Sequence, residues 1–124
     1  MVKIRKRIRV HRKGKIVEAE ALFDTGSRGS YFSKELAEKI GYEPYEKVKR
    51  IPLAVKGKHA ILIGRTNVYL EIDGEILPEE ELIGVIEDLL TDAIIGLNIM
   101  EKYGIYIEEG QIKFKPHPPT SMII

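Results

Sequence analysis

The sequence predicts a single, mostly β domain with one or two short helices, and three observations support this prediction. Its 124 residues, 44% hydrophobic and 31% charged, have the size and composition of one soluble globular domain. Apolar residues alternate with charged ones over 2–10 and with polar ones over 66–72, which is the period-2 pattern of half-buried strands. Turn sequences that contain glycine separate the apolar runs at 12–15, 73–74 and 109–110, as in hairpins.

Two short helices interrupt the predicted strands. Ser33 is suited to cap a helix over 34–40, and Gly41 is suited to end it. A second helix of one or two turns is predicted over 97–103, before Gly104. Strands are predicted, in chain order, over 2–11, 16–23, 51–63 (two strands around a turn at 56–58), 66–72, 82–86, 93–95, 105–108 and 111–115.

The composition excludes several classes of function. The sequence has no cysteine, so disulfides and thiolate chemistry are excluded. His11, His59 and His117 are far apart in the chain and lack metal-ligand spacing, so neither a metal nor a cofactor is expected. No apolar run approaches the roughly 20 residues that span a bilayer, and the basic start is not followed by a signal-peptide core. We therefore expect a cytoplasmic protein that does not enter membranes.

Charge is unevenly distributed along the chain. Lysine and arginine are concentrated in residues 1–15, and aspartate and glutamate in residues 79–92. A basic arm can bind the phosphates of nucleic acids. The basic residues of 3–9 nevertheless alternate with apolar ones, which favours a solvated strand face, so no nucleic-acid partner is expected.

One turn has the residue types of a catalytic loop. An apolar strand runs into Asp24-Thr25-Gly26-Ser27. Asp24 could act as acid or base, Gly26 permits close approach of the backbone, and the hydroxyls of Thr25 and Ser27 could hold a carboxylate or brace the turn. Asp and Gly are common in ordinary turns, however, and Asp73-Gly74 is expected to be one of them. The turn by itself leaves both interpretations open.

A second segment, at 93–100, changes this balance. It consists of an apolar strand, a glycine and a short amphipathic helix, and it contains Ile94-Ile95-Gly96. Together with Asp24-Thr25-Gly26, in this order and at this separation, it resembles the retropepsin family of aspartic peptidases. The resemblance covers about 16–115. It implies one closed β-barrel-type acid protease domain over 1–124, with a Pro-rich, apolar tail at 116–124.

The resemblance also implies a role for particular residues. Asp24 would be the catalytic residue, with Thr25, Gly26 and Ser27 forming the active-site loop. Ile95 and Gly96 would support that loop from behind. A flap that covers the substrate would include Ala54, Val55, Lys56, Gly57 and Lys58, followed by a long strand over 61–72.

Catalysis by such a chain requires two copies. Hydrolysis by an aspartic dyad needs two carboxylates that share one proton, and the sequence has one Asp-Thr-Gly turn. A two-fold homodimer would bring together the two Asp24 residues. The dyad would then activate water for attack on a peptide or unfolded protein, without a metal. The expected function is an aspartic endopeptidase.

The sequence differs from the viral members at three positions. Ser27 follows the Asp-Thr-Gly turn where viral members usually have alanine. Leu97 replaces an arginine that often makes a salt bridge between viral subunits, and the flap has only Gly57 where viral flaps are glycine-rich. A dimeric, peptide-binding protein with the same fold but no turnover is therefore the main alternative.

Two other classes are disfavoured. The sequence has no Gly-x-Ser-x-Gly elbow of the kind that serine hydrolases use. The segment from Gly26 to Gly29 has the Gly-x-x-Gly spacing of an RNA-binding KH loop, but here a strand leads into it where a KH domain has a helix.

Overall fold

The computed structural model describes residues 2–52 and 57–116. Within these ranges the chain forms ten strands and two short helices. The strands are β1 (Lys3–Arg12), β2 (Lys15–Asp24), β3 (Tyr31–Ser33), β4 (Glu43–Pro52), β5 (His59–Ile72), β6 (Glu75–Ile76), β7 (Glu81–Ile86), β8 (Ala93–Ile95), β9 (Ile105–Glu108) and β10 (Gln111–Phe114). The helices are α1 (Lys34–Ile40) and α2 (Leu97–Tyr103). The predicted tail lies outside the described residues from position 117 onward.

Six of these strands form a closed barrel in the order β1-β2-β8-β3-β7-β5, and pairing of β1 with β5 completes it. The β1–β5 seam is short and consists of the pairs Arg9–Glu71, Val10–Leu70 and His11–Tyr69. Strands β4 and β6 extend from β5, while β9 and β10 form a separate hairpin. A mostly β, closed-barrel fold with two short helices is thereby confirmed.

The alternating sequence of β1 produces a two-sided strand. Ile8 and Val10 are buried, whereas Arg7 and Arg9 are exposed. The exposed arginines lie opposite acidic residues of β2: Arg7 Nη1 is 3.6 Å from Glu18 Oε2, and Arg9 Nε is 3.7 Å from Glu18 Oε1. The basic segment is thus the solvated face of a strand whose charges are balanced by its neighbour.

The inward faces of the barrel strands make one continuous apolar core, which α1 and α2 extend. Burying each large side chain contributes about 1.5–3 kcal/mol, so this core is the main source of stability. Its largest fully buried members are Phe23, Phe32, Ile8, Ile40, Leu70, Ile72, Ile83, Ile95, Ile99, Val10, Val68 and Val85.

Helix α1 and strand β5 show how far local patterns determine the elements. The Ser33 hydroxyl accepts a hydrogen bond from the Leu36 amide at 3.0 Å, and the helix ends before Gly41, as predicted. Strand β5 is one strand of 14 residues, as the resemblance implied for 61–72, whereas the local pattern alone had suggested two pieces. A register shift between Leu62 and Gly64 in the pairing with β7 interrupts the alternation, which explains the apparent break.

No helix in the described part of the chain is long and apolar enough to cross a membrane.

Candidate active site

Asp24 ends β2, and its side chain lies on the outward face of the barrel wall. Alternate residues of a strand point to opposite sides, and the odd-numbered residues of 19–23 are buried in the core. Glu18 and Glu20, which lie on the same side of β2 as Asp24, are exposed. Asp24 is nevertheless only 8% exposed. The Gly26 amide donates to Oδ1 at 2.8 Å, and Lys3 Nζ lies 3.9 Å from Oδ2. The strand therefore holds one carboxylate in a fixed, outward orientation.

Thr25 fastens the loop to the start of β1. The Thr25 amide donates to the carbonyl of Val2 at 3.0 Å, and its hydroxyl accepts from the Val2 amide at 2.8 Å. Because β1 and β2 pair up to Lys3 and Asp24, these bonds extend the ladder by one residue. Thr25 thus braces the turn against its own chain.

Ser27 and the start of α2 hold the other side of the loop. The Ser27 hydroxyl donates to the Gly29 carbonyl at 2.8 Å, so it braces the turn internally. The amide of Leu97 donates to the Ser27 carbonyl at 2.8 Å, and the amide of Asn98 donates to the Arg28 carbonyl at 3.0 Å. The first amides of a helix have no partner within the helix, and here the loop supplies one.

Gly96, the residue before α2, packs directly under the loop. A Cβ at this position would lie 2.6 Å from the Ser27 carbonyl oxygen and would also meet that of Gly29, so only glycine fits. The Gly96 amide donates to the Ser30 hydroxyl at 2.8 Å, and that hydroxyl donates to Asn98 Oδ1 at 2.8 Å. The Asp24 loop and the start of α2 therefore form one hydrogen-bonded unit.

Strand β8 brings α2 to this position. Ile95 pairs with Phe23 in parallel register, and both side chains are fully buried. Because Phe23 precedes Asp24 and Ile95 precedes Gly96, this register sets the loop against the helix. The sequence-predicted residues of the loop, with Ile95 and Gly96, are thus brought together. Ser30, Asn98 and Val2 complete the arrangement and were not singled out from the sequence, although Ser30 and Asn98 each lie close to a motif.

A buried polar cluster anchors the far end of α2. Glu81 is 7% exposed and accepts hydrogen bonds from the Tyr103 hydroxyl and, at 2.9 Å, from Lys102 Nζ. Burial, and then the hydrogen bond to Glu81, raise the pKa of Tyr103 to about 12. The hydrogen bond to Glu81 also raises the pKa of Lys102. These contacts fix the helix that supports the loop.

A cavity of about 600 Å³ opens beside the Asp24 loop, between the loop and α2. Its walls carry both an acidic and a basic side chain. The lining residues are Thr25, Gly26, Arg28, Leu97, Asn98 and Glu101. Among residues 2–52 and 57–116, no group of three or more His, Cys, Asp or Glu side chains could hold a metal ion.

The predicted flap falls partly outside the described residues. Ala54, Val55 and Lys56 are not described, whereas Gly57 and Lys58 are exposed and lie just before β5. Strands β4 and β5 pair as far as Pro52 and His59, as the arms of a hairpin would. The position of the hairpin tip relative to Asp24 stays a prediction.

Three solved structures resemble this barrel over most of its length. The retroviral protease-like domain of Ddi1 from Leishmania major is 21% identical, with a TM-score of 0.63, and the match covers 94% of this chain and 97% of that one. EIAV protease in complex with the inhibitor HBY-793 is 14% identical, with a TM-score of 0.59 and coverage of 86% and 93%. A retropepsin-like aspartic protease from Rickettsia conorii is 17% identical, with a TM-score of 0.55 and coverage of 88% and 90%.

The chain has the retropepsin-like fold. No family model and no curated protein sequence matches it, so the resemblance is one of three-dimensional fold. The retropepsin-like barrel expected from the two short motifs is confirmed.

Proposed function

We propose that the protein is an aspartic endopeptidase that acts as a two-fold homodimer, with one Asp24 from each copy. The environment of Asp24 carries the proposal. Its carboxylate is fixed by the Gly26 amide, and the loop is tied to β1 through Thr25 and to α2 through Ser27. A rigidly held carboxylate on the outward face of the barrel can be approached by a second copy.

The chemistry follows from two carboxylates at close range. Like charges about 3 Å apart do not both ionise, so the pair shares one proton. The ionised Asp24 would take a proton from a water molecule as that water attacks the scissile carbonyl. The protonated Asp24 of the other copy would donate to the carbonyl oxygen.

The substrate in this proposal is an extended peptide or an unfolded protein segment. The hairpin of β4 and β5, with its tip at Ala54, Val55, Lys56, Gly57 and Lys58, would close over it. Among residues 2–52 and 57–116, strand β4 pairs only with β5, and most of its residues are exposed. A peptide could therefore bind through main-chain hydrogen bonds, as in strand addition.

The test is digestion of casein and of a peptide library across acidic and neutral pH, with and without pepstatin. We expect hydrolysis that pepstatin inhibits and whose rate per chain falls on dilution, because a single chain holds half a dyad. Sedimentation at micromolar concentration should give twice the chain mass. Peptide binding without hydrolysis would favour the non-catalytic alternative, and a strict monomer would contradict the dyad.

A further inference from the structure

We propose that strand β4, the first arm of the proposed flap, binds acidic segments of extended polypeptides and thereby selects substrates that carry neighbouring Asp or Glu residues. The bound segment would be the substrate, so the inference rests on the proposed function and names the chemical class of peptide that it acts on. The charges of β4, which differ in their surroundings from those of β1, carry the inference.

The basic residues of β1 over 3–9 are balanced by carboxylates of the same chain. Each of these five cations has a carboxylate oxygen within 4.0 Å, at separations from 2.6 Å for Lys6 to 3.9 Å for Lys3. The five residues are Lys3, Arg5, Lys6, Arg7 and Arg9. An anion from outside would have to compete with these partners, so this face of β1 attracts it weakly.

The cations of β4 have no such partners in the described part of the chain. Lys47, Lys49 and Arg50 are exposed, and none of them lies within 4.0 Å of a carboxylate oxygen. Both glutamates of the strand precede position 47, and residues 47–52 contain no acid. Lys58, which precedes β5, adds a fourth exposed cation. The outer half of β4 therefore presents positive charge that nearby carboxylates do not balance.

Lys49 is held by an aromatic ring and not by an acid. Its ammonium lies 4.7 Å from the centroid of the Tyr45 ring. A cation–π contact of this kind positions an ammonium without cancelling its charge. Lys49 is thus oriented before a partner arrives, which lowers the entropic cost of binding.

The backbone of β4 favours an extended polypeptide as the partner. Within the described ranges β4 pairs only with β5, so the main-chain groups of its other edge can pair with an added strand. Lys49 pairs in register with Leu62, and Arg50 with Ile61, so the two cations point to opposite faces of the hairpin. Successive residues of an added strand also point to opposite faces. Two neighbouring acidic residues could therefore meet one cation on each face.

The first experiment measures peptide binding by fluorescence anisotropy, with the full chain carrying Asp24→Asn to prevent cleavage. Two labelled peptides share an apolar centre, flanked on both sides by Glu-Glu in one and by Gln-Gln in the other. At about 0.05 M salt the Glu-Glu peptide should bind about tenfold more tightly, since each exposed charge pair changes affinity by a factor of roughly 1.4–5. At about 1 M salt, where the Debye length is about 3 Å, the preference should fall below about twofold. Equal binding of the two peptides at low salt would overturn the proposal.

Matched variants in the same background locate the preference on β4. Lys47→Gln/Lys49→Gln/Arg50→Gln should reduce it below about twofold, whereas Arg5→Gln/Arg7→Gln/Arg9→Gln, which removes the same charge from β1, should leave it within about twofold of the starting value. Circular dichroism checks that both variants are folded. A preference that survives the β4 variant, or that is lost equally in the β1 variant, would overturn the proposal.

A nucleic acid would match the charge of β4 but has no main chain that could extend its sheet. A single-stranded oligonucleotide of the same net charge as the Glu-Glu peptide should therefore bind more weakly than that peptide. Tighter binding of the oligonucleotide, lost in the β4 variant, would overturn the assignment to polypeptides.

Kinetics of the parent separate this inference from the proposed function. The Glu-Glu peptide should be cleaved with a KM about tenfold lower than that of the Gln-Gln peptide and with kcat within about twofold, because the charges act in binding. Cleavage of both peptides at equal kcat/KM would contradict the charge preference alone. Preferential binding through β4 without cleavage of any peptide would contradict the proposed function and leave the preference of β4 established. Neither binding nor cleavage would contradict both.

Discussion

Asp24 and Asp73 are two aspartates in similar sequence contexts with opposite surroundings. Each lies at the end of an apolar strand and is followed, within two positions, by glycine. The side chain of Asp73 is 49% exposed and pairs with Lys6 at 2.6 Å, whereas that of Asp24 is 12% exposed. At Gly74 an added Cβ would meet nothing within 4 Å. Asp73 therefore belongs to an ordinary surface hairpin.

The comparison shows that a short sequence of aspartate and glycine after a strand does not by itself determine whether the aspartate is held in a candidate catalytic turn. The Asp73 turn joins the neighbouring strands β5 and β6, and a surface ion pair with Lys6 is its contact from elsewhere in the described chain. The Asp24 turn is held by Val2 on one side and by Gly96 and Leu97 on the other, which are distant in the chain. Rigidity around Asp24 comes from these tertiary contacts. The predictions below change the two turns themselves, the helix that supports the Asp24 turn, or the proposed flap.

The largest effect is expected from the carboxylates themselves. Asp24→Asn should lower the rate of peptide hydrolysis at least about 1,000-fold, because the shared proton is lost while the shape is kept. Asp73→Asn should leave the rate within twofold. Initial rates on a pepstatin-sensitive peptide measure both variants, and sedimentation checks that Asp24→Asn still dimerises. Equal rates in the two variants would remove Asp24 from the mechanism.

The next effect concerns the glycines. Gly96→Ala would push a methyl group into the Ser27 carbonyl, and overpacking of this kind costs about 3 kcal/mol. Gly74→Ala has open space and a φ of +80°, so it should cost about 1 kcal/mol through backbone strain alone. Urea unfolding measures both losses. At a temperature where both variants are folded, Gly96→Ala should also lose activity while Gly74→Ala keeps it.

Full activity in Gly96→Ala would show that the packing of Gly96 under the loop is not needed to hold Asp24.

A smaller effect is expected at the far end of α2. Tyr103→Phe removes the hydroxyl that donates to buried Glu81 and should cost about 1.5 kcal/mol in unfolding free energy. Since the pKa of Tyr103 is raised from 10.0 to about 12, its contribution is present below pH 10 and is lost as pH rises from 10 to 12.

Thermal unfolding at pH 8 and pH 11.5 measures this contribution. The parent should lose more stability than Tyr103→Phe between these two values, because the variant has no phenol to ionise. An identical loss in both proteins would indicate that Tyr103 does not carry the alkaline transition.

The smallest effect tests the proposed flap. Gly57 and Gly74 both have φ near +80° and open space for a Cβ, so valine introduces similar strain at either turn. Gly57→Val should raise KM and lower kcat by about threefold each if this hairpin opens and closes over substrate. Gly74→Val should change neither value. Unchanged kinetics in Gly57→Val would reduce the segment to a surface hairpin.

The sequence predicted those structural features that depend on residues close together in the chain. Helix α1 follows from Ser33 and Gly41, which act within one or two turns of each other. Strand β3 was missed because three residues are too short for a period to show. The hydrogen bond between Ser30 and Asn98 joins positions 68 apart in the chain, and no local pattern encodes it. The two motifs located the candidate site, but its bracing required the fold.

The Asp24 loop and Gly96, which packs under it, are far apart in the chain and are therefore synthesised at different times. The hairpin of β1 and β2 is local and can form as soon as it leaves the ribosome. Gly96 and the start of α2 are made some 70 residues later, which at 5–20 residues per second is about 4–14 seconds. A nascent or truncated chain that ends before Gly96 thus carries the Asp24 turn without the partners that hold it. Completion of the candidate site therefore has to wait until Gly96 and the start of α2 have been synthesised.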